Sequence, residues 1–140
     1  MYMSKATDIL QAAQQKAMAN RPKVGGFPYL AETLRQAGIL KNIWSLPSCQ
    51  SIYVMDTGDA VVQQGAPLVT GLADIAKFDE KALIAAIRID QAGESTFGEF
   101  LMATWQAGVV WYEADFTERK VTYGGLHGET YVESYPEVVI

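Results

Sequence analysis

The chain has 140 residues, of which 49% are hydrophobic and 19% are charged, and its formal net charge is −5. This size and composition predict one globular domain that needs neither a metal ion nor a disulfide to hold its core. The excess of acidic residues disfavours binding to nucleic acids and to anionic membrane surfaces, because both present phosphate groups.

The first predicted element is an amphipathic helix over residues 4–19, which ends before Pro22. Polar side chains within this helix exclude a signal peptide. Apolar runs in the chain stay well short of the roughly 18 residues that would span a membrane. We expect residues 1–140 to form a single domain, with the N-terminal helix of residues 1–22 peripheral to it.

The next elements are a helix that starts near Pro28 and ends at Gly38, and then a group of strands. The strands are predicted over residues 43–46, 51–55 and 60–64, and Gly58 suits the tight turn between the last two. Residues 66–76 are predicted to add a last strand and a loop.

The second half of the chain contains two further predicted helices and a second run of strands. A helix is predicted over residues 78–91. Thr96 and Glu99 match the capping box of a further helix, which ends at Gly108. Strands over residues 109–116, 120–125 and 130–135 then form a three-strand meander.

The predicted fold is therefore α+β, with about four helices and two runs of antiparallel strands: a middle hairpin and a C-terminal meander. Residues 27–39 and 97–109 both begin with Phe and end with Gln-Ala-Gly followed by Ile or Val. Either a helix-turn-strand unit is duplicated, or Ala-Gly is simply a convenient end for a helix. The predicted core is Leu30, Leu34, Ile52, Val54, Leu83, Ile87, Phe97, Leu101, Tyr112 and Phe116.

Candidate catalytic groups are few. His127 is the only histidine and lies in a predicted turn, and Cys49 is the only cysteine. Nothing in the sequence places His127 beside the possible nucleophiles of residues 48–50, so we predict a structural Cys49 and a non-catalytic His127. A lone cysteine also excludes an intrachain disulfide and indicates a reducing compartment, the cytoplasm. No metal site and no cofactor is predicted.

Trp111 alternates with the predicted core side of its strand and shares the outer side with Glu113 and Asp115. A large apolar side chain on the outer side of a sheet indicates that another sheet or a partner subunit covers that side. We predict that the protein forms a homodimer through the sheet of its C-terminal third, with Trp111 near the centre of the contact. The alternative is that the N-terminal helix covers this face within the same chain.

Four stretches resemble a known family: residues 25–32 (GGFPYLAE), 46–51 (LPSCQS), 90–97 (DQAGESTF) and 105–109 (WQAGV). They are similar to the YbcV-like family of bacterial, prophage-associated proteins, which often carry the label "phage envelope protein". The resemblance implies a bacterial origin and a compact α+β fold. It implies no activity, cofactor or catalytic residue.

Two functions follow as hypotheses. The first is a non-enzymatic interaction or structural protein of prophage origin that acts through a surface, on an unknown protein partner or on a second copy. The alternative is a small-molecule-binding protein or enzyme with a pocket near Cys49, His127 and the C-terminal tyrosines. The candidate binding residues are Ser48, Cys49, Gln50, Trp111, Tyr123, His127 and Glu129.

Overall fold

A computed structural model describes residues 5–140 of the chain. The first half contains α1 (Lys5–Asn20), α2 (Phe27–Gln36), β1 (Ile39–Ser45), β2 (Gln50–Met55) and β3 (Ala60–Gln64). The second half contains α3 (Glu80–Gln91), α4 (Phe97–Gln106), β4 (Val109–Asp115), β5 (Lys120–Gly125) and β6 (Thr130–Ser134). This arrangement confirms the predicted α+β class.

The strands form one antiparallel sheet in the order β3-β2-β1-β4-β5-β6. The two predicted runs of strands are therefore continuous, because β1 pairs with β4 in the middle of the sheet. Four elements of the first half, α2, β1, β2 and β3, each begin 70 residues before their counterparts in the second half. The echo in the sequence thus reflects a repeated α-α-β-β-β arrangement.

The central pairing relates the two halves by an approximate two-fold axis normal to the sheet. Ile43 of β1 lies opposite Glu113 of β4, and these two residues are 70 positions apart. This pair lies on the axis, and the other equivalent residues of β1 and β4 lie on opposite sides of it: Lys41, for example, pairs with Asp115, whereas its equivalent Trp111 pairs with Ser45.

The helices cover one face of the sheet, which we call the helix face. α1 lies over β3, where the side-chain amides of Gln14 and Gln63 form hydrogen bonds of 2.9 and 3.1 Å. α3 reaches β6 through Arg88 and Glu133, whose side chains are 2.5 Å apart. Leu10 of α1 is fully buried on this side. The alternative in which the N-terminal helix covers Trp111 is therefore wrong, because α1 lies on the opposite side of the sheet.

Six of the predicted core residues are buried: Leu34, Leu83, Ile87, Leu101, Tyr112 and Phe116. Leu30 is partly buried against them. Ile52 and Val54 were predicted to face the core, but β2 turns Ser51, Tyr53 and Met55 inward instead. This strand carries apolar side chains on both faces, so alternation alone does not identify the inner one.

Phe97 is a second departure from the predicted core, because it is half exposed and packs edge-on against Trp44 with ring centroids 5.3 Å apart. Residues 66–76 form no strand. Pro67 lacks an amide donor, and the amides of Leu68 and Val69 bond to the Pro47 carbonyl, at 3.1 and 3.4 Å, rather than to a neighbouring strand. The capping box of α4 is confirmed by its two hydrogen bonds between Thr96 and Glu99, of 2.9 and 3.1 Å.

Candidate functional site

The second face of the sheet lies opposite the helices, and we call it the open face. Strand pairing arranges its side chains in three rows that cross all six strands. The lysine row is Ala60, Val54, Lys41, Asp115, Lys120 and Ser134. The central row is Val62, Ile52, Ile43, Glu113, Thr122 and Val132. The tryptophan row is Gln64, Gln50, Ser45, Trp111, Gly124 and Thr130.

Apolar side chains on the open face are presented to solvent. Val62, Val132 and Trp111 expose 57%, 50% and 36% of their surface. Ile52 and Val62 are direct cross-strand neighbours in the central row. Burial of such branched side chains is favourable by roughly 25 cal/mol per Å² of apolar surface. A partner that covers this face would therefore gain hydrophobic stabilisation.

The Trp111 indole packs closely against its cross-strand neighbour Gly124. A Cβ atom at position 124 would overlap the indole atoms Cε2, Cζ2 and Nε1. Because glycine has no side chain, the indole can occupy this space on the open face, where it covers the glycine backbone. The predicted exposed position of Trp111, on the same face as Glu113 and Asp115, is confirmed.

The charges of the open face balance. Its four charged residues are Lys41, Lys120, Glu113 and Asp115. The Lys41 ammonium lies between the two carboxylates, 4.0 Å from Glu113 and 3.9 Å from Asp115. Asp115 also accepts hydrogen bonds of 3.1 and 2.9 Å from the amides of Thr117 and Glu118 in the β4–β5 turn. The face is neutral although the chain carries a net charge of −5.

Cys49 is 4% exposed and lies in the β1–β2 turn with a φ of +53°. Burial raises the pKa of its thiol, while the Leu68 backbone and the Trp44 side chain oppose the rise. Its neighbours Ser48 and Gln50 are exposed, and the Ser48 hydroxyl donates to the Ser45 hydroxyl at 3.0 Å. A buried thiol with a raised pKa is a poor nucleophile.

His127 and Glu129 lie in the turn between β5 and β6, where the Glu129 carboxylate accepts a 2.8 Å hydrogen bond from the His127 amide. The backbone amides of Glu129 and His127 lower the pKa of that carboxyl. The β1–β2 turn with Cys49 is at the same end of the sheet, but three strand spacings away, or about 14 Å. The structure does not bring Cys49 and His127 together.

Tyr123 belongs to the helix face, where Trp44, Tyr112, Tyr123 and Tyr131 follow one another across β1, β4, β5 and β6. Successive ring centroids are 5.9, 5.8 and 6.4 Å apart. Burial raises the pKa of Tyr112 well above its ordinary value. These aromatic side chains pack against one another as part of the core and do not line a pocket.

Other kinds of site find little support in residues 5–140. Two hollows on the surface, one lined by residues 77–81 and one between α1 and α2, contain none of the candidate binding residues. Within this range no group of three or more histidine, cysteine or carboxylate side chains could hold a metal ion. None of the described helices is long and apolar enough to cross a membrane.

Strand alternation predicted Trp111 on this face, but its apolar partners Ile52, Val54 and Val62, along with Lys41, were not predicted to lie there. The apolar residues on both faces of β2 were the available signal. Membership of the open face becomes evident only when β1 is known to pair with β4, and nothing local in the sequence reports that pairing.

Comparison with known proteins identifies the family. Residues 15–134 match the family described as "Protein of unknown function (DUF1398)". The chain belongs to the DUF1398 family. Similar members are the uncharacterized proteins Mb2035 of Mycobacterium bovis and MT2067 and Rv2012 of Mycobacterium tuberculosis. Each is 52% identical over 136 residues, which cover 97% of this chain and 82% of the relative. The YbcV-like resemblance is thus supported only as membership of a bacterial family without an assigned function.

Proposed function

We propose that this DUF1398 protein is a non-enzymatic interaction protein that works as a homodimer, and that the two copies meet through their open faces. The observation that supports the proposal is an apolar yet charge-balanced sheet face with the helices on its other side. Catalysis around Cys49 and His127 lacks a comparable basis, because these two residues lie about three strand spacings apart.

The size of the face suits such a contact. Six strands about 4.8 Å apart, each five to seven residues long, present a face of roughly 30 by 20 Å. Each partner in a stable interface buries about 800 Å² of accessible surface, which is of the same order. Sheets that pack face to face, as in β-sandwiches, use apolar side chains of this kind.

A second copy also suits the charge of the face. Copies with a net charge of −5 repel one another in general, and a contact through a neutral face reduces that repulsion. Such a contact can satisfy itself about a two-fold axis, which is the commonest symmetry of soluble oligomers. A prophage origin stays a prediction, since the names of the mycobacterial relatives contain no such origin.

Sedimentation equilibrium tests the proposal. We expect the wild-type chain to form a dimer of twice its 15.3 kDa mass at micromolar concentration. Ile52→Asp places a charge within the contact and should give a monomer. The matched control Leu72→Asp makes a similar change at a side chain that is 97% exposed and lies outside the face, so it should stay dimeric.

Circular dichroism checks that each variant is folded. Val132→Asp, on the edge strand β6, serves if Ile52→Asp does not fold. If the wild-type chain is still monomeric at about 1 mM, its dissociation constant for dimerisation is too high for a specific contact, and the proposal is overturned. A dimer that survives both face variants would do the same, and would point instead to pairing through an edge strand.

A further inference from the structure

The open face carries enough detail to select how the two copies would be oriented. This inference rests on the proposed homodimer. Two in-plane two-fold axes place the whole face of one copy over the whole face of the other. One axis runs parallel to the strands, between β1 and β4. The other runs across the strands, along the central row.

The axis across the strands brings like charges together. It places the central row over itself, so Glu113 of one copy lies over Glu113 of the second copy. Asp115 lies over Trp111 of the second copy, and Lys41 over its Ser45. A pair of like charges enclosed between two sheets is unfavourable, because burial removes the solvent that screens them.

The axis parallel to the strands brings opposite charges together. It keeps each row over itself but exchanges β1 with β4, so Lys41 of each copy lies over Asp115 of the second copy. Ile52 then lies over Thr122 and Val62 over Val132 of the second copy, and Trp111 lies over its Ser45. The sheets of a sandwich are about 10 Å apart, a gap that a lysine and an aspartate side chain can bridge.

We propose that two copies pack face to face about an axis parallel to β1 and β4, held in register by two reciprocal ion pairs between Lys41 of one copy and Asp115 of the other. Within one chain, Lys41 lies 4.0 and 3.9 Å from its two carboxylates and makes no closer ion pair among the described residues. Its ammonium group is therefore available to a partner. Trp111 lies next to the axis, and so does Asp115.

Mixing two single variants tests the register separately from the intrachain contacts. In Lys41→Glu and in Asp115→Lys, each homodimer has two like-charge contacts. A heterodimer of the two variants has two opposite-charge contacts, although each of its chains still has like charges at positions 41 and 115. We therefore expect each homodimer to weaken about tenfold or more, and the mixture to form heterodimers close to wild-type affinity. Higher salt should reduce the preference.

The readout is sedimentation of the mixture with one variant carrying a fluorescent label. Asp115→Lys also removes the acceptor for the β4–β5 turn, so Asp115→Asn, which keeps that acceptor, replaces it if the lysine variant does not fold. The Asp115→Asn chain should form a heterodimer with the Lys41→Glu chain that is tighter than the Lys41→Glu homodimer. If the wild type dimerises through Ile52 but the mixture shows no heterodimer preference, the register is wrong and the homodimer stands. A monomeric wild type overturns both.

Discussion

Gly38 and Gly108 occupy equivalent positions just after α2 and α4, yet we expect their replacement by alanine to have unequal effects. Both have a positive φ, +94° at Gly38 and +87° at Gly108, which an alanine adopts only with strain. That strain is common to both variants and amounts to about 1–2 kcal/mol. The neighbours of the new methyl group make the difference.

At position 38 the added Cβ would lie 2.9 Å from a carboxylate oxygen of Asp56, an exposed side chain that can rotate away. At position 108 it would lie 2.6 Å from the Phe78 Cα and 2.7 Å from the Lys77 carbonyl oxygen. That backbone cannot move easily, because the Asp79 amide donates a 2.8 Å hydrogen bond to the Ala107 carbonyl. Relief of such an overlap costs about a further 1–3 kcal/mol.

The expected loss in free energy of unfolding is therefore about 1–2 kcal/mol for Gly38→Ala and about 2–5 kcal/mol for Gly108→Ala. Urea unfolding followed by far-UV circular dichroism measures both, and an unchanged dependence on urea would show that only the folded state is affected. Equal losses would refute the reasoning, since they would mean that the segment before α3 yields as easily as the Asp56 side chain.

Three further predictions follow from burial. Leu101→Ala should lose about 2–5 kcal/mol of stability in urea unfolding, whereas Ile52→Ala on the open face should lose about 1 kcal/mol when the chain is dilute enough to be monomeric; equal losses in the monomer would mean that the faces are misassigned. Stability should fall as pH rises above about 10, because burial keeps Tyr112 and Tyr123 protonated in the folded protein while the unfolded chain releases these protons. Each of the two tyrosines should lower the free energy of unfolding by about 1.4 kcal/mol per pH unit. Tyr112→Phe should lessen the fall between about pH 10 and 11, and an unchanged fall would contradict the assignment. Cys49 should react with a thiol reagent far more slowly in the folded protein than in urea; equal rates would show that the thiol is accessible.

The fold could be predicted from the sequence where the signals are local. The capping box at Thr96 and Glu99 starts α4 at Phe97, and the outward position of Trp111 follows from alternation along β4. Local signals were insufficient at Ile52 and Val54, because β2 is apolar on both faces and only the position of the helices decides which face is buried.

The candidate site was harder to predict than the fold, because it depends on pairing between distant segments. Lys41 and Asp115 are neighbours only through β1 and β4, which are far apart in the sequence. The contact between Gly124 and Trp111 also depends on pairing, because the glycine lies beside the indole only when β4 and β5 are neighbours. Residue types alone indicated an exposed tryptophan and a pair of carboxylates, without the surface that joins them.

The pairing of β1 with β4 joins two similar units in one chain, and this has a consequence for how the protein can change. Two separate identical units would carry every substitution twice. Here position 43 is isoleucine and its counterpart 113 is glutamate, while Lys41 corresponds to Trp111. Covalent linkage also makes the central pairing independent of protein concentration, because the effective concentration of linked partners reaches the millimolar range. One half can therefore acquire apolar side chains and the other charged side chains, and the two halves still stay paired when the protein is diluted.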